Sequence, residues 1–421
     1  MAGRKWGSQM GQVRNRVSRA PRLLLAVLAV VVVALVACSS SSSQTSSGSG
    51  SAGAAKSPFV IVIDTGTTGP YGANGAAAVE GVKAAANVLN ATQGGILGHK
   101  VEVQVLDNQG NPTTAAQLLE QRLASGTKPD LIEPGSISSE GVIEVPIAAA
   151  AKILSIGTPN DSSLNNPAKY PDEFLMAPSA ILPQESLMSY FKAHHYTKAA
   201  MIYSSDAYGA SVGAAAIQAA KQAGITLVTA TYQDTDLNMT SELQKLQASK
   251  PQVLYVQGFA APPGIILQDL YTLGWKIPTI GDLTTAATPL IAADATKPQE
   301  KGLLLQNLKI TVHSTNQSEA TKNYISALQK FGPITIPLNT TSYQYDSVMV
   351  VAQAAKQANS IATPALANAI EHLKQPASPP WVTLNEYIFS TASHAPSAPI
   401  SNWVITPVSP LTNGQYDGPA S

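Results

Sequence analysis

The sequence predicts an α/β protein built as two doubly wound parallel-sheet lobes, and three observations carry that prediction. Short apolar runs closed by turn residues, at 58–64, 131–132 and 153–156, read as buried parallel strands. They alternate with alanine-rich stretches of helical period, and the alternation begins again in the second half of the chain. At 421 residues the chain exceeds one typical domain, and its 44% apolar and 12% charged content suits helices covering sheets.

The first 37 residues hold six basic side chains, Arg4 to Arg22, and no acidic one. Without them 20 basic residues face 26 acidic ones, a balance of about −6 that excludes a nucleic-acid partner. Residues 23–37 form an uninterrupted apolar run behind that basic segment, the pattern of a secretory signal rather than a spanning helix. The run ends Leu35-Val36-Ala37-Cys38, which resembles a bacterial lipobox, so lipidation is expected at Cys38. Cys38 is the only cysteine, and a disulfide within one chain is impossible. Residues 1–37 are therefore expected to be a signal peptide. Residues 38–57 are expected to be a lipidated tether, with nine serines between positions 39 and 56.

The body opens with the apolar strand 58–64, which breaks into Thr65-Gly66-Thr67-Thr68-Gly69-Pro70-Tyr71-Gly72. That loop fits neither nucleotide fingerprint. The one G-x-G-x-x-G match, Gly48 to Gly53, lies in the tether with no strand before it. Ala78, Val82, Ala86 and Leu89 place a helix over 75–90, and 101–107 reads as a second strand. Asn111-Pro112-Thr113 is an N-cap followed by proline at the first helical position, opening a helix to Ser125. Ser138 or Ser139 is a suitable N-cap for the next helix, which Pro146 is expected to kink or split. In the second half, 199–203, 225–230, 253–257, 277–280 and 302–306 read as strands. Tyr208-Gly209 leads a helix to Gly224, and Asp206 is a candidate cap for it.

The stretch from Gly135 to Asp161 organises the chain, because the strands at 131–132 and 153–156 both end in its hydroxyls and amides. In an open parallel sheet, ligands settle beyond the carboxyl ends of strands, where helix N-termini offer N–H groups.

These features together resemble the type I periplasmic solute-binding proteins, and in pattern the branched-chain amino acid receptors (leucine-binding-protein-like) of ABC importers. The resemblance rests on the lipobox, Gly69-Pro70-Tyr71-Gly72, Gly94-Gly95-Ile96-x-Gly98, the strand end at Asp107 and the loop Ser136 to Ser139. It covers about residues 58–410. It implies two lobes joined by three crossing strands, near 174–179, 307–312 and 374–382. Lobe 1 would comprise 58–177 and 310–376, and lobe 2 178–309 and 377–421. A helix opened by Tyr345-Asp346 would return to lobe 1. Ser138 and Thr158 fall where the family contacts a carboxylate, with Ser136, Ser139 and Asn160 beside them. Tyr71 and Tyr208 would close over the ligand from opposite lobes, Phe259 would supply an aromatic wall, and Asp282 would meet an ammonium. Thr158-Pro159-Asn160-Asp161 replaces a run of small residues and threonine, and Phe174-Leu175-Met176 lacks the arginine common after the first crossing's aromatic.

The resemblance thus implies an extracytoplasmic lipoprotein, moored to the bilayer through Cys38, that hands an amino acid or similar small solute to an ABC permease. A sensor of the same fold signalling to a membrane partner is the alternative, and a secreted enzyme the next. Nothing in the residues points to catalysis or a cofactor. There is no G-x-S-x-G around Ser136 or Ser138, His194-His195 has no partner at metal spacing, and His394 is isolated.

Overall fold

Strand β1 (Phe59–Thr65) lies second in a five-stranded sheet ordered β2-β1-β3-β4-β5, with β2 Val101–Asp107, β3 Leu131–Pro134, β4 Leu154–Gly157 and β5 Glu173–Leu175. All its pairings are parallel. Side chains alternate across a strand, so Phe59, Ile61 and Ile63 enter one apolar cluster and Val62 another, and all four are buried. The first cluster is shared with α1 (Gly72–Gln93), the second with α2 (Pro112–Ala124) and α3 (Ser138–Ala151). This computed structural model describes residues 56–288, 291 and 295–418. The expected signal peptide and Cys38 lie outside them. Among the described residues no helix is long and apolar enough to cross a membrane.

Local sequence accounts for several element ends. Asn111 accepts from the N–H groups of Thr113 and Thr114 at 2.9 and 3.0 Å and so caps α2. Neither Ser138 nor Ser139 caps α3. That helix starts at Ser138, and Glu140 takes the cap's part by accepting from the Ser136 and Ile137 N–H groups at 2.9 and 3.3 Å. The helix also runs through Pro146 without a break in its assignment.

The second sheet is ordered β13-β10-β9-β8-β6-β7. Its strands are β6 (Lys198–Ser204), β7 (Thr226–Tyr232), β8 (Val253–Val256), β9 (Thr279–Gly281), β10 (Leu304–Leu308) and β13 (Trp403–Pro407). All pair parallel except β13, which runs antiparallel to β10. Alternation again divides the core. Ala199 and Met201 pack with α4 (Ile181–Ala193) and α5 (Ala207–Ala223), while Ala200 and Ile202 pack with α6 (Thr240–Ala248) and α7 (Pro262–Leu273).

After β10 the chain returns to the first sheet. Helix α9 (Glu319–Leu328) and helix α10 (Asn339–Ala358) cover α1, and α11 (Thr363–Glu371) follows. Tyr345 and Asp346, expected at the opening of this helix, lie in the second turn of α10. The expected passage of 377–421 to the second lobe needs correction. Trp381, Leu384, Tyr387 and Phe389 are buried in the cluster of Phe174 and Leu366, which belongs to the first sheet. Asp346 also ties the segment down: its carboxylate accepts from Val382 N, Thr383 N and the Tyr387 hydroxyl at 2.7, 2.7 and 2.8 Å. Strand β12 (Ser393–Ser397), paired with β11 (Ile388–Ser390), also lies against β5. His394 stacks on Phe174 at 4.1 Å and bonds the Glu173 carbonyl through Nδ1 at 2.6 Å. Only at β13 does the chain join the second sheet.

Candidate functional site

The carboxyl ends of both sheets open onto one cavity of about 120 Å³. The loop after β3 gives it Ser136, Ile137 and Ser138, and the turn after β4 gives Thr158 and Asn160. Opposite them stand Tyr208 from the first turn of α5, Phe259 after β8, and Leu283 and Thr284 after β9. Strand β13 runs antiparallel, which sets its first residue, Trp403, in register with the last residue of β10, Leu308, so both reach the same rim. Helix α10 closes the remaining side with Asn339, Thr340, Tyr343 and Gln344, an i, i+4 pattern on one helix face.

The wall is tied together by its own polar groups. Ser138, buried, accepts from the Asn160 N–H at 2.9 Å, and the Asn160 side-chain amide donates to the Pro178 carbonyl at 3.1 Å. The Thr158 hydroxyl accepts from Gln344 Nε2 at 3.0 Å. The Thr65 hydroxyl donates to Ser136 Oγ at 2.9 Å. Tyr208 and Phe259 meet as tilted rings with centroids 5.8 Å apart. Beneath the first-sheet side sits a group of buried carboxyls. Burial pushes Glu140 up to about 7, and burial together with neighbouring carboxylates raises Asp64 and Glu144.

Of the residues singled out in the sequence, Ser136, Ser138, Thr158, Asn160, Tyr208 and Phe259 come together in this wall, whereas Tyr71, Ser139 and Asp282 do not. Tyr71 stands outside, its hydroxyl donating to Asp234 Oδ2 at 2.8 Å across from the second sheet. Its ring lies against Gly110, where φ is +73° and an added Cβ would sit 2.8 Å from the ring, so a side chain there is excluded on two counts. Ser139 is half-buried on α3. Asp282 caps the short helix α8 (Leu283–Ala286), accepting from Thr284 N, Thr285 N and the Thr284 hydroxyl at 3.1, 2.7 and 2.7 Å. Burial pushes its carboxyl up to about 6 against the pull of those donors.

A family model described as periplasmic binding protein matches residues 61–401. The chain belongs to that family. The solved structures similar to this binding protein share its fold of parallel α/β sheets. It is 25% identical over 268 residues to Leu/Ile/Val-binding protein homolog 3 of Brucella melitensis, covering 62% of this chain and 69% of the relative. In structure it is similar to an extracellular ligand-binding receptor from Rhodopseudomonas palustris HaA2, with TM-score 0.74, 19% identity, and 86% and 99% of the two chains covered. It is also similar to an ABC-transporter solute-binding protein from R. palustris in complex with benzoate, with TM-score 0.71, 16% identity, and 85% and 94% covered.

The binding protein's cavity also uses residues that sequence reasoning passed over. Asn74 lies in the first turn of α1, in a stretch whose glycines are its conspicuous feature. The α10 residues sit in the polar run Asn339-Thr340-Thr341-Ser342 and in Tyr343-Gln344, just before Tyr345. A polar run at helical spacing ahead of an apolar helix was the available signal.

Proposed function

We propose that this protein is the extracytoplasmic capture component of an ABC importer, tethered through a lipidated Cys38, which closes two lobes on a small solute of amino-acid size. The lobes in this reading are 58–177 with 310–398, and 178–309 with 399–418, so the third crossing falls late. The observation that carries it is a cavity at the strand ends of both sheets, with Ser138, Thr158 and Asn160 facing Tyr208 and Phe259. Ligands of open α/β sheets gather at such strand ends, and a mobile pair of lobes lets a solute select the closed form that a permease reads. Membership of the periplasmic binding protein family supports the same reading.

The test is a thermal-shift screen of the full-length chain against amino acids, amides, urea and small carboxylates. A solute at about 100 times its dissociation constant stabilises by about 2.7 kcal/mol. Stabilisation that disappears in Tyr208→Ala supports capture at this cavity. Stabilisation untouched by that substitution, or by Ser138→Ala, places binding elsewhere and ends the proposal.

A further inference from the structure

We infer that the solute is uncharged, with an aromatic or branched aliphatic body and amide, carbonyl or hydroxyl functions, and is not a zwitterionic amino acid. The inference rests on the capture reading above and deepens it. Among the described residues, no Asp, Glu, Lys, Arg or His side chain forms part of the cavity wall.

Several of the groups that the charged ends of an amino acid would need are already committed inside the protein. For the carboxylate, the natural donors are N–H groups at the N-terminus of α3, the usual anion position. Glu140 Oε2 already accepts from the N–H groups of Ser136 and Ile137 at 2.9 and 3.3 Å. The Asn160 N–H beside them is likewise spent on Ser138 Oγ at 2.9 Å. For the ammonium, the nearest carboxylates serve their own helices. Asp282 is occupied by Thr284 and Thr285, and Asp206 accepts from Gly209 N and the Ser204 hydroxyl, both at 2.6 Å. Burying a charge without a counter-charge is costly, and no charged side chain among the described residues stands in the wall to meet one, so a charged end opposes entry.

What the wall does offer is apolar surface and neutral polarity. Tyr208, Phe259, Tyr343, Trp403 and Leu308 make the apolar part. Wall side chains also carry buried polar atoms without a partner inside the protein: the donors Asn74 Nδ2 and Trp403 Nε1, and the acceptors Asn339 Oδ1 and Gln344 Oε1. Unpaired donors and acceptors of both kinds around one cavity suit a ligand that both accepts and donates without formal charge.

The experiment compares matched head groups on one body, titrating the full-length chain by calorimetry and thermal shift with benzamide, benzoate and benzylammonium, then isovaleramide, isovalerate and isoamylammonium, then leucine. The expected result is that a neutral amide binds at least tenfold more tightly than its charged counterparts and than leucine, and that Tyr208→Ala abolishes its binding. Leucine, a carboxylate or an ammonium binding as tightly as the amides overturns the inference, as does failure of both amides to bind. If a charged compound binds and Tyr208→Ala removes it, capture at this cavity stands while the neutral-ligand inference falls. If no compound here or in the wider screen binds in a Tyr208-dependent way, capture falls as well.

Discussion

The Tyr71 hydroxyl donates a 2.8 Å hydrogen bond to the Asp234 carboxylate, joining the loop after β1 of the first sheet to the segment after β7 of the second. Other bonds also join the two halves, among them Ser162 N to Ser211 Oγ at 3.2 Å and Asn339 Nδ2 to the Leu283 carbonyl at 3.4 Å. The Tyr71 bond has the better geometry and the charged acceptor, but its site is exposed, so about 1 kcal/mol is the appropriate scale. Tyr71→Phe should therefore shift the balance toward separated lobes by roughly fivefold, seen as a larger radius of gyration in small-angle scattering. Asp234→Ala should do the same and add nothing to Tyr71→Phe. Additive effects of the two substitutions would mean the residues act independently.

At the cavity, Ser138→Ala removes the acceptor for the Asn160 N–H and leaves that donor buried, which costs about 1–3 kcal/mol. Tyr208→Ala removes one ring of the Tyr208–Phe259 pair and its apolar wall. Both should weaken the affinity for any stabilising solute by about tenfold or more, measured by calorimetry. Unchanged affinity in both variants would move the binding site out of this cavity.

Asp346 holds the 382–387 segment to α10 through one carboxylate, so Asp346→Ala strands two backbone donors and the Tyr387 hydroxyl in the core of the first sheet. A loss of roughly 3 kcal/mol is expected from a network of this kind, read from the urea midpoint at constant m-value. A change below about 1 kcal/mol would show that the segment docks by apolar contact alone.

Several buried carboxyls are pushed upward by burial: Asp282 to about 6, Glu140 and Asp346 to about 7, Glu173 to about 8. A carboxyl whose folded pKa lies above its unfolded value binds its proton more tightly when folded. It therefore contributes stability below the unfolded pKa that is lost as pH rises through the folded value. The melting temperature should fall between about pH 5.5 and 8.5, on the order of a few °C, and Glu173→Gln should flatten that slope. A melting temperature rising across the same interval would contradict the sign.

The alternating sheets were legible in the sequence because central parallel strands are apolar on both faces, as in 59–63 and 199–202, and short runs of that kind between alanine-rich helices arise in few folds besides the doubly wound ones. Caps were legible where a side chain acts within its own segment, as at Asn111 and Asp206. Ser138 misled because hydroxyls serve caps and sheet-end contacts equally well, and its choice depends on Asn160, twenty-two residues away. Asp282 misled for the opposite reason, since local capping by its own helix absorbed a carboxylate that looked available. The docking of 381–397 was hidden altogether, because its bonds come from a carboxylate some forty residues earlier in the chain and its apolar residues carry no regular period.

The position of β13 has a consequence for how the molecule is made. Its residues complete the second sheet only after the preceding segment has been laid against the first, so that sheet stays unfinished until β13 itself has emerged. A fragment stopped before Trp403 would leave β10 with a bare outer edge and its apolar rim uncovered, an aggregation hazard. Late completion of this kind means that the second sheet can close only once β13 has taken its place beside β10.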